Sequence, residues 1–393
     1  MNKVAVYIIS DGIGGAEQVV WQTIDALKYE PGIFLIVNNE IAEYYSNLLD
    51  GRKFLNIGNI YLHRNPAFRL VRYLLNNRFY SIKPLLVILK TKMVYSFIAK
   101  NGIGTIHAHM EYALLSTLNI KRNYNAIKII YTVHSAFAFL GEKLLKPQYS
   151  ISKKEFSFVD IFVFVSKYNF HLFRTNNVPI KNYRIIYNSI NLNTLPGKIQ
   201  NKIADKYFDI LYVGGAKYVK GYDLLVKTVT RLISKFDFSN LRIIILGHVP
   251  SDCELLKMIN NSGISSCFSL LGYIQPPGHY KYFQQADLLF MPSRSEAMPM
   301  AAVEALFFDL PMVASNVGGL SEIISNGNNG YLCSPDPVEF ADAIYRSFQE
   351  YSQLQLSTKS YNDSIRKVFD SETVMKQVCE LYFNFNEVKN NGW

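Results

Sequence analysis

Short, almost wholly apolar runs alternate along this chain with longer stretches of helical period, and the alternation occurs twice. KVAVYII precedes a helical pattern from Glu17 to Lys28, FLIVN follows, GTIHAH precedes a helix from about Glu111, and KIIYTV and DIFVFV precede a helix after Ser166. The rhythm restarts with DILYV, a helix after Gly221, LRIIILG, CFSLLG, ADLLFM, a helix after Pro299, and LPMVAS. This is the strand–helix–strand order of parallel sheets, so the spacing predicts an α/β protein with two doubly wound, Rossmann-like domains. At 393 residues the chain is also long for one core, and two domains of roughly 150 to 200 residues are expected. Between the two rhythms, Asn188 to Tyr207 is polar, lacks a period and carries Pro196 and Gly197. That is the expected linker, with domains at 1–197 and 198–370. In residues 371–393, Val374, Met375, Val378, Leu381 and Tyr382 fall at helical spacing and predict a final amphipathic helix. Open parallel sheets bind ligands beyond the carboxyl ends of their strands, so a site is expected in a cleft between the two domains.

A content of 49% hydrophobic and 18% charged residues excludes long disordered tails. Cys253, Cys267, Cys333 and Cys379 form no CxxC pair, zinc spacing or disulfide framework, which points to a reducing, cytoplasmic compartment. The opening MNKVAVYIIS reads as a first strand rather than a signal peptide. No run approaches the roughly 18 apolar residues of a membrane span. Charge is unevenly placed, with 23 Lys and Arg against 11 Asp and Glu up to Leu195 and 18 against 20 after it. Arg64, Arg69, Arg72, Arg78, Lys83, Lys90, Lys92 and Lys100 form an acid-free stretch interleaved with Phe68, Tyr73, Phe79, Tyr80, Tyr95 and Phe97. Such a segment suits either peripheral contact with the anionic inner face of a membrane or a solvated helix face. No nucleic-acid motif accompanies it.

The most distinctive chemistry follows ADLLFM. There PSRSEAMPM leads into AAVEALFFDLP, and Pro299 suits the first turn of a helix, where its missing N–H leaves nothing unpaired. From Met300 to Phe308, Glu304 is the only polar side chain, so a buried carboxylate is expected to need hydrogen-bond donors. Glu296 lies before the helix, near the N–H groups of Met298 to Ala301, which favour anions or polar ligands. Either the two glutamates bracket one bound molecule, or Glu296 is a helix-entry residue and Glu304 an internally satisfied polar group.

SRSEAMPMAAVEALFFDLPMVASNVGGLSEII resembles the signature of the retaining GT-B glycosyltransferases of family 4, and Glu296 and Glu304 match its E-x7-E motif. The resemblance implies that Glu296 contacts the donor sugar's hydroxyls and Glu304 the nucleotide ribose, with Ala297, Met298, Pro299 and Met300 completing that wall. Gly14-Gly15-Ala16-Glu17 looks like the family's glycine-rich loop at the diphosphate. HAHMEYA resembles its strand end carrying a histidine near the donor sugar, here His109, and TVHSAF places His134 at another familiar strand end. YVGGAKYVKGYDLL resembles the loop in which an arginine and a lysine grip the diphosphate. Lys220 matches the lysine, Gly215 stands where the arginine is expected, and Lys217 is a substitute cation. LLGYIQ resembles the loop that reads the base, with Tyr273 nearest to it. Asn188-Ser189-Ile190-Asn191 and Asp309 depart from the family's usual NG-x-D turn and helix-ending glycine.

The similarity runs from Val4 to about Ile344 and implies a final helix that crosses back to the first domain. It further implies transfer of a hexosyl or N-acetylhexosaminyl group, with retention, from a nucleotide diphosphate sugar to a glycan or lipid-linked acceptor in polysaccharide or glycolipid biosynthesis. Attack is expected on the same face, with His109, Lys220 and Glu296 as catalytic residues and no covalent nucleophile. No Asp-x-Asp occurs in the chain, so neither a metal nor another cofactor is expected. A sugar-nucleotide epimerase of the same fold is a rival that epimerised free donor would reveal. A non-catalytic accessory subunit is the other, suggested by Gly215.

Overall fold

The computed structural model describes residues 3–10, 14–46, 54–57, 83–135, 139–140, 143–146, 149–196 and 207–384. Arg64, Arg69, Arg72 and Arg78 of the basic stretch, and the linker position Gly197, lie outside them. Of that stretch, Lys92 and Lys100 are exposed on the helix Lys83–Asn101, which buries Val94 and Ile98.

The described residues form two compact units. One holds those up to Val165, Asn169–Ile186, and those from Met375 on; the other holds Ser166–Tyr168 and Tyr187–Val374. The long segment of the second unit thus begins at Tyr187, ten residues before the boundary expected at Gly197. The start of the polar run that suggested a linker is instead bonded within the second unit. Buried Asn188 donates to the Met298 carbonyl at 2.7 Å, Ile190 N–H to Phe369 at 3.0 Å, and Ser371 N–H to Ile190 at 3.1 Å. The expected final helix is Ser371–Phe383, with Val374, Val378, Leu381 and Tyr382 buried.

In the first unit, β1 (Val4–Ile8), β2 (Ile33–Val37), β3 (Phe54–Asn56), β4 (Thr105–His109) and β5 (Lys128–Val133) come first in the chain. A small antiparallel sheet of β6 (Phe139–Leu140), β7 (Lys143–Lys146) and β8 (Tyr149–Ser152) follows, then β9 (Ile161–Phe164) and β10 (Tyr183–Ile185). The large sheet is parallel with order β10-β9-β5-β4-β1-β2-β3. Every residue of β1, β2 and β4 is buried, which is why these strands read as continuous apolar runs rather than alternating ones.

The second unit carries β11 (Phe208–Val213), β12 (Leu241–Leu246), β13 (Phe268–Gly272), β14 (Leu288–Met291), β15 (Met312–Ser315) and β16 (Gly330–Cys333), all parallel in the order β13-β12-β11-β14-β15-β16. The strand order reverses between β1 and β4 in the first sheet and between β11 and β14 in the second. At such a reversal the loops leaving neighbouring strands diverge and open a crevice. The ends of these four strands and the segments that follow them carry Gly14 and Gly15, His109, Gly215 to Lys220, and Glu296.

Candidate active site

At the reversal of the second sheet, Lys220 Nζ lies 2.7 Å from Glu296 Oε1, which also accepts from Ser293 Oγ at 2.7 Å. Lys220 ends a short 3-10 turn, Tyr218–Lys220, after β11. Buried Tyr212 sets that turn by donating to the carbonyls of Gly215 at 3.2 Å and Lys220 at 3.3 Å. Arg294 ties the turn to the loop after β14. Its guanidinium grips Asp223 through both nitrogens, at 2.8 and 2.7 Å, stacks 3.8 Å from the Tyr218 ring and bonds the Tyr218 carbonyl, while its own N–H reaches Val219. A bidentate arginine–carboxylate pair of this kind is rigid. The side chains of Lys220 and Glu296 are therefore brought together by a stapled pair of loops, with Glu296 buried and Lys220 partly exposed.

Helix Met300–Phe307 begins one residue later than a Pro299 in its first turn would have it. Pro299 has extended ψ 130 and caps the helix, its carbonyl accepting from Ala302 and Val303. All eight helix residues are buried, as are Ala297 and Met298. Glu304 is the one carboxylate among them, and its Oε1 meets His279 Nε2 at 2.9 Å. The far end closes on Asp309, at φ 54. Its side chain accepts from Arg366 and, at 3.5 Å, from Asn362, work that the glycine usual in the family could not do.

Gly318 and Gly319 press directly on the Glu296 loop. A Cβ on Gly318 would stand 1.7 Å from the Glu296 carbonyl oxygen and one on Gly319 2.3 Å from that of Ala297, while Gly319 N–H donates to Ala297 at 3.0 Å. Gly215, at φ 56, is enclosed in the same way by the backbone of Gly247 and His248. Lys217 and Tyr273 are exposed.

In the first unit, Gly14 caps helix Gly15–Ala26, and its N–H donates to buried Glu17 at 2.8 Å. His109 ends β4 beside this loop's strand, paired in register with Ile8. The next residue, Met110, has φ 68, a left-handed conformation that a residue with a side chain adopts at a cost. His109 Nδ1 meets His134 Nε2 at 2.8 Å, and its buried Nε2 has no hydrogen-bond partner among the described residues. His107 is fully engaged, with Tyr382 at 2.6 Å and Thr132 at 2.6 Å. The geometry thus separates a structural histidine, His107, from His109, which keeps a nitrogen available.

Burial, then the neighbouring His134 charge, holds His107 down to about 3; burial holds His134 to about 4. Burial followed by His107 and His134 takes His109 well below the ordinary value. All three are neutral at pH 7. In the unfolded chain each takes up a proton below pH about 6.5, whereas in the fold His107 and His134 resist protonation until about pH 3 and 4 and His109 until well below its ordinary value. Stability is therefore whole above pH about 6.5 and falls with decreasing pH by up to about 1.4 kcal/mol per unit per histidine. Urea titrations at pH 7.5 and 5 should show this loss, and a shallower one in His134→Asn. Equal slopes would contradict neutral burial.

Missing from the sequence-based expectations were Asn188 as a tether, Arg294, His279, Gly318 and Gly319. Only the glycine pair had a local signal, the NVGG within the signature segment. Among the described residues no group of three or more His, Cys, Asp and Glu could hold a metal ion, and no helix is long and apolar enough to cross a membrane.

Two doubly wound parallel sheets, each with its polar side chains at a reversal of strand order, define the GT-B class of α/β protein. Over nearly its whole length the chain has the fold of HepE of Anabaena, crystallised with UDP-glucose (TM-score 0.71, 18% identity, 97% of this chain and 99% of that one). A glycosyltransferase of Rickettsia africae superposes with TM-score 0.75 at 14% identity over 99% of both chains. In sequence the chain is 29% identical over 367 residues to an uncharacterized glycosyltransferase of Methanocaldococcus jannaschii, covering 90% of this chain and 95% of the relative. It is 22% identical over 184 residues to the N-acetyl-alpha-D-glucosaminyl L-malate synthase of Bacillus anthracis, 47% of each. Residues 13–194 match the family described as Glycosyltransferase Family 4, and residues 197–363 the one described as Glycosyl transferases group 1. The chain belongs to the family 4-like glycosyltransferases of the GT-B fold.

Proposed function

We propose that this glycosyltransferase takes a hexosyl or N-acetylhexosaminyl group from a nucleoside diphosphate sugar and delivers it, with retention and without a metal, to a glycan or lipid-linked acceptor. The observation that carries this is the Lys220–Glu296 pair at 2.7 Å, at the reversal between β11 and β14. A cation and a carboxylate so placed suit a donor whose diphosphate takes the lysine while its sugar hydroxyls donate to the glutamate. As the diphosphate leaves, its growing charge is met by Lys220 and by the outward N–H groups of Met300 and Ala301, preorganised donors of the kind that lower such barriers. Glu304 then serves the ribose, Gly14 and Gly15 the diphosphate, Tyr273 the base, and His109 the donor sugar as a neutral imidazole. The UDP-glucose complex of HepE supports the donor class, and the absence of Asp-x-Asp from the sequence supports metal independence. The excess of Lys and Arg up to Leu195 supports an acceptor presented at an anionic cytoplasmic membrane face, in polysaccharide or glycolipid assembly.

Radiolabelled nucleotide sugars offered with membrane lipid extracts in EDTA test this. One donor should yield labelled product, and Glu296→Gln and Lys220→Met should each lose about 100-fold or more in turnover. Silence with every donor would overturn the proposal, abolition by EDTA would overturn metal independence, and epimerised free donor would point to an epimerase instead.

A further inference from the structure

Glu304 is buried in a helix whose other side chains are all apolar, so its carboxylate depends on whatever donor the fold brings to it. That donor is His279, itself buried, at 2.9 Å from Oε1. His279 lies in a different element, just before the helix Tyr280–Gln285, with Phe283 edge-on to its ring at 5.7 Å and Tyr280 at 4.3 Å. A carboxylate only accepts, so Nε2 carries the proton. The ring is clamped by aromatic neighbours, so this bond fixes the direction of the carboxylate as well as satisfying it.

We propose that His279 is a positioning residue for Glu304: by occupying Oε1 it aims Oε2 at a ribose hydroxyl of the donor, and so sets how strongly the enzyme prefers ribonucleotides to their deoxy forms. This rests on Glu304 being the ribose contact. A site with a preset buried acceptor discriminates against a ligand that lacks the matching donor, because the acceptor is then left unpaired. A carboxylate free to rotate can turn to other partners and discriminates less.

The test is binding, measured by calorimetry, of the nucleoside diphosphate that wild-type enzyme holds most tightly among ADP, CDP, GDP and UDP, and of its 2′-deoxy and 3′-deoxy forms. Wild type should prefer the ribo form to at least one deoxy form by about 10- to 100-fold. Glu304→Ala should abolish the preference. His279→Leu, which keeps the bulk but not the donor, should reduce it to a few-fold, and His279→Gln, whose amide nitrogen can stand where Nε2 stands, should restore most of it. If His279→Leu does not fold, His279→Asn, whose amide falls short of Oε1, replaces it. No preference in wild type, or one that survives Glu304→Ala, would remove the ribose role of Glu304. A preference lost in Glu304→Ala but intact in the folded His279→Leu or His279→Asn would overturn the positioning role alone.

Discussion

Gly318→Ala should cost this enzyme about 100-fold or more in turnover, although Gly318 has no side chain and touches no proposed substrate. Its φ of 62 is left-handed, which penalises a side chain by roughly 1–2 kcal/mol. The larger effect is steric. The added methyl would lie 1.7 Å from the Glu296 carbonyl oxygen and 2.6 Å from its carbon, far inside the 3.0 Å limit of real contacts. Both are backbone atoms, so no rotamer change relieves the clash. The Glu296 loop must retreat by more than about 1 Å, and a displacement of that size is enough to lose about 100-fold in an oriented reaction. The retreat also strains the bond from Gly319 N–H to Ala297 and the tether from Asn188 to Met298. Steady-state kinetics beside thermal melting decides the matter. A Gly318→Ala enzyme within twofold of wild type would show that the Glu296 loop is not held where the chemistry needs it.

Gly215→Arg, which writes the arginine usual in the family into the loop after β11, should destabilise the second unit and leave donor affinity no better. Gly215 has φ 56, and a Cβ there would meet His248 O at 2.3 Å, His248 N at 2.8 Å and Gly247 C at 2.9 Å. The approach is mutual, since a Cβ on Gly247 would meet Gly215 N at 2.6 Å. The two loops are also bonded, Gly215 N–H to Leu246 and Ala216 N–H to His248. Left-handed strain of roughly 1–2 kcal/mol and overpacking of about 1–3 kcal/mol add to a loss of about 2–5 kcal/mol. At about 2–4 °C per kcal/mol for a unit of this size, melting should fall by roughly 4–20 °C. A well-folded Gly215→Arg enzyme with tighter donor binding would refute this account. Arg294 is no substitute for that arginine, because it is committed to Asp223 and Tyr218. Its work is to tie the turn that carries Lys220 to the loop that carries Glu296.

The strands that form the middle of both sheets were legible because, covered on both faces, they must be apolar along their whole length, as in β1, β4 and β11. Short edge strands such as β3, β10 and β16 were not, because they are only partly buried and carry little apolar signal. Glu296 and Glu304 stood out for a different reason. One sits just before a helix start and the other is the lone polar side chain within that helix, and local spacing records both. Lys220, by contrast, was singled out only by the resemblance of its loop to the family's.

The partners of those residues are another matter. Lys220 meets Glu296 across 76 positions, Asn188 meets Met298 across 110, and His279 meets Glu304 across 25. The sequence by itself determined two doubly wound sheets and the residue types at their strand ends, since periodicity and burial act between near neighbours in the chain. Only the tertiary structure decided that Gly215 leaves no room for an arginine, that Gly318 sets the height of the Glu296 loop and that His279 holds Glu304. Each of these depends on how closely the backbone or side chain of a distant segment approaches, and that distance is not encoded in any local pattern.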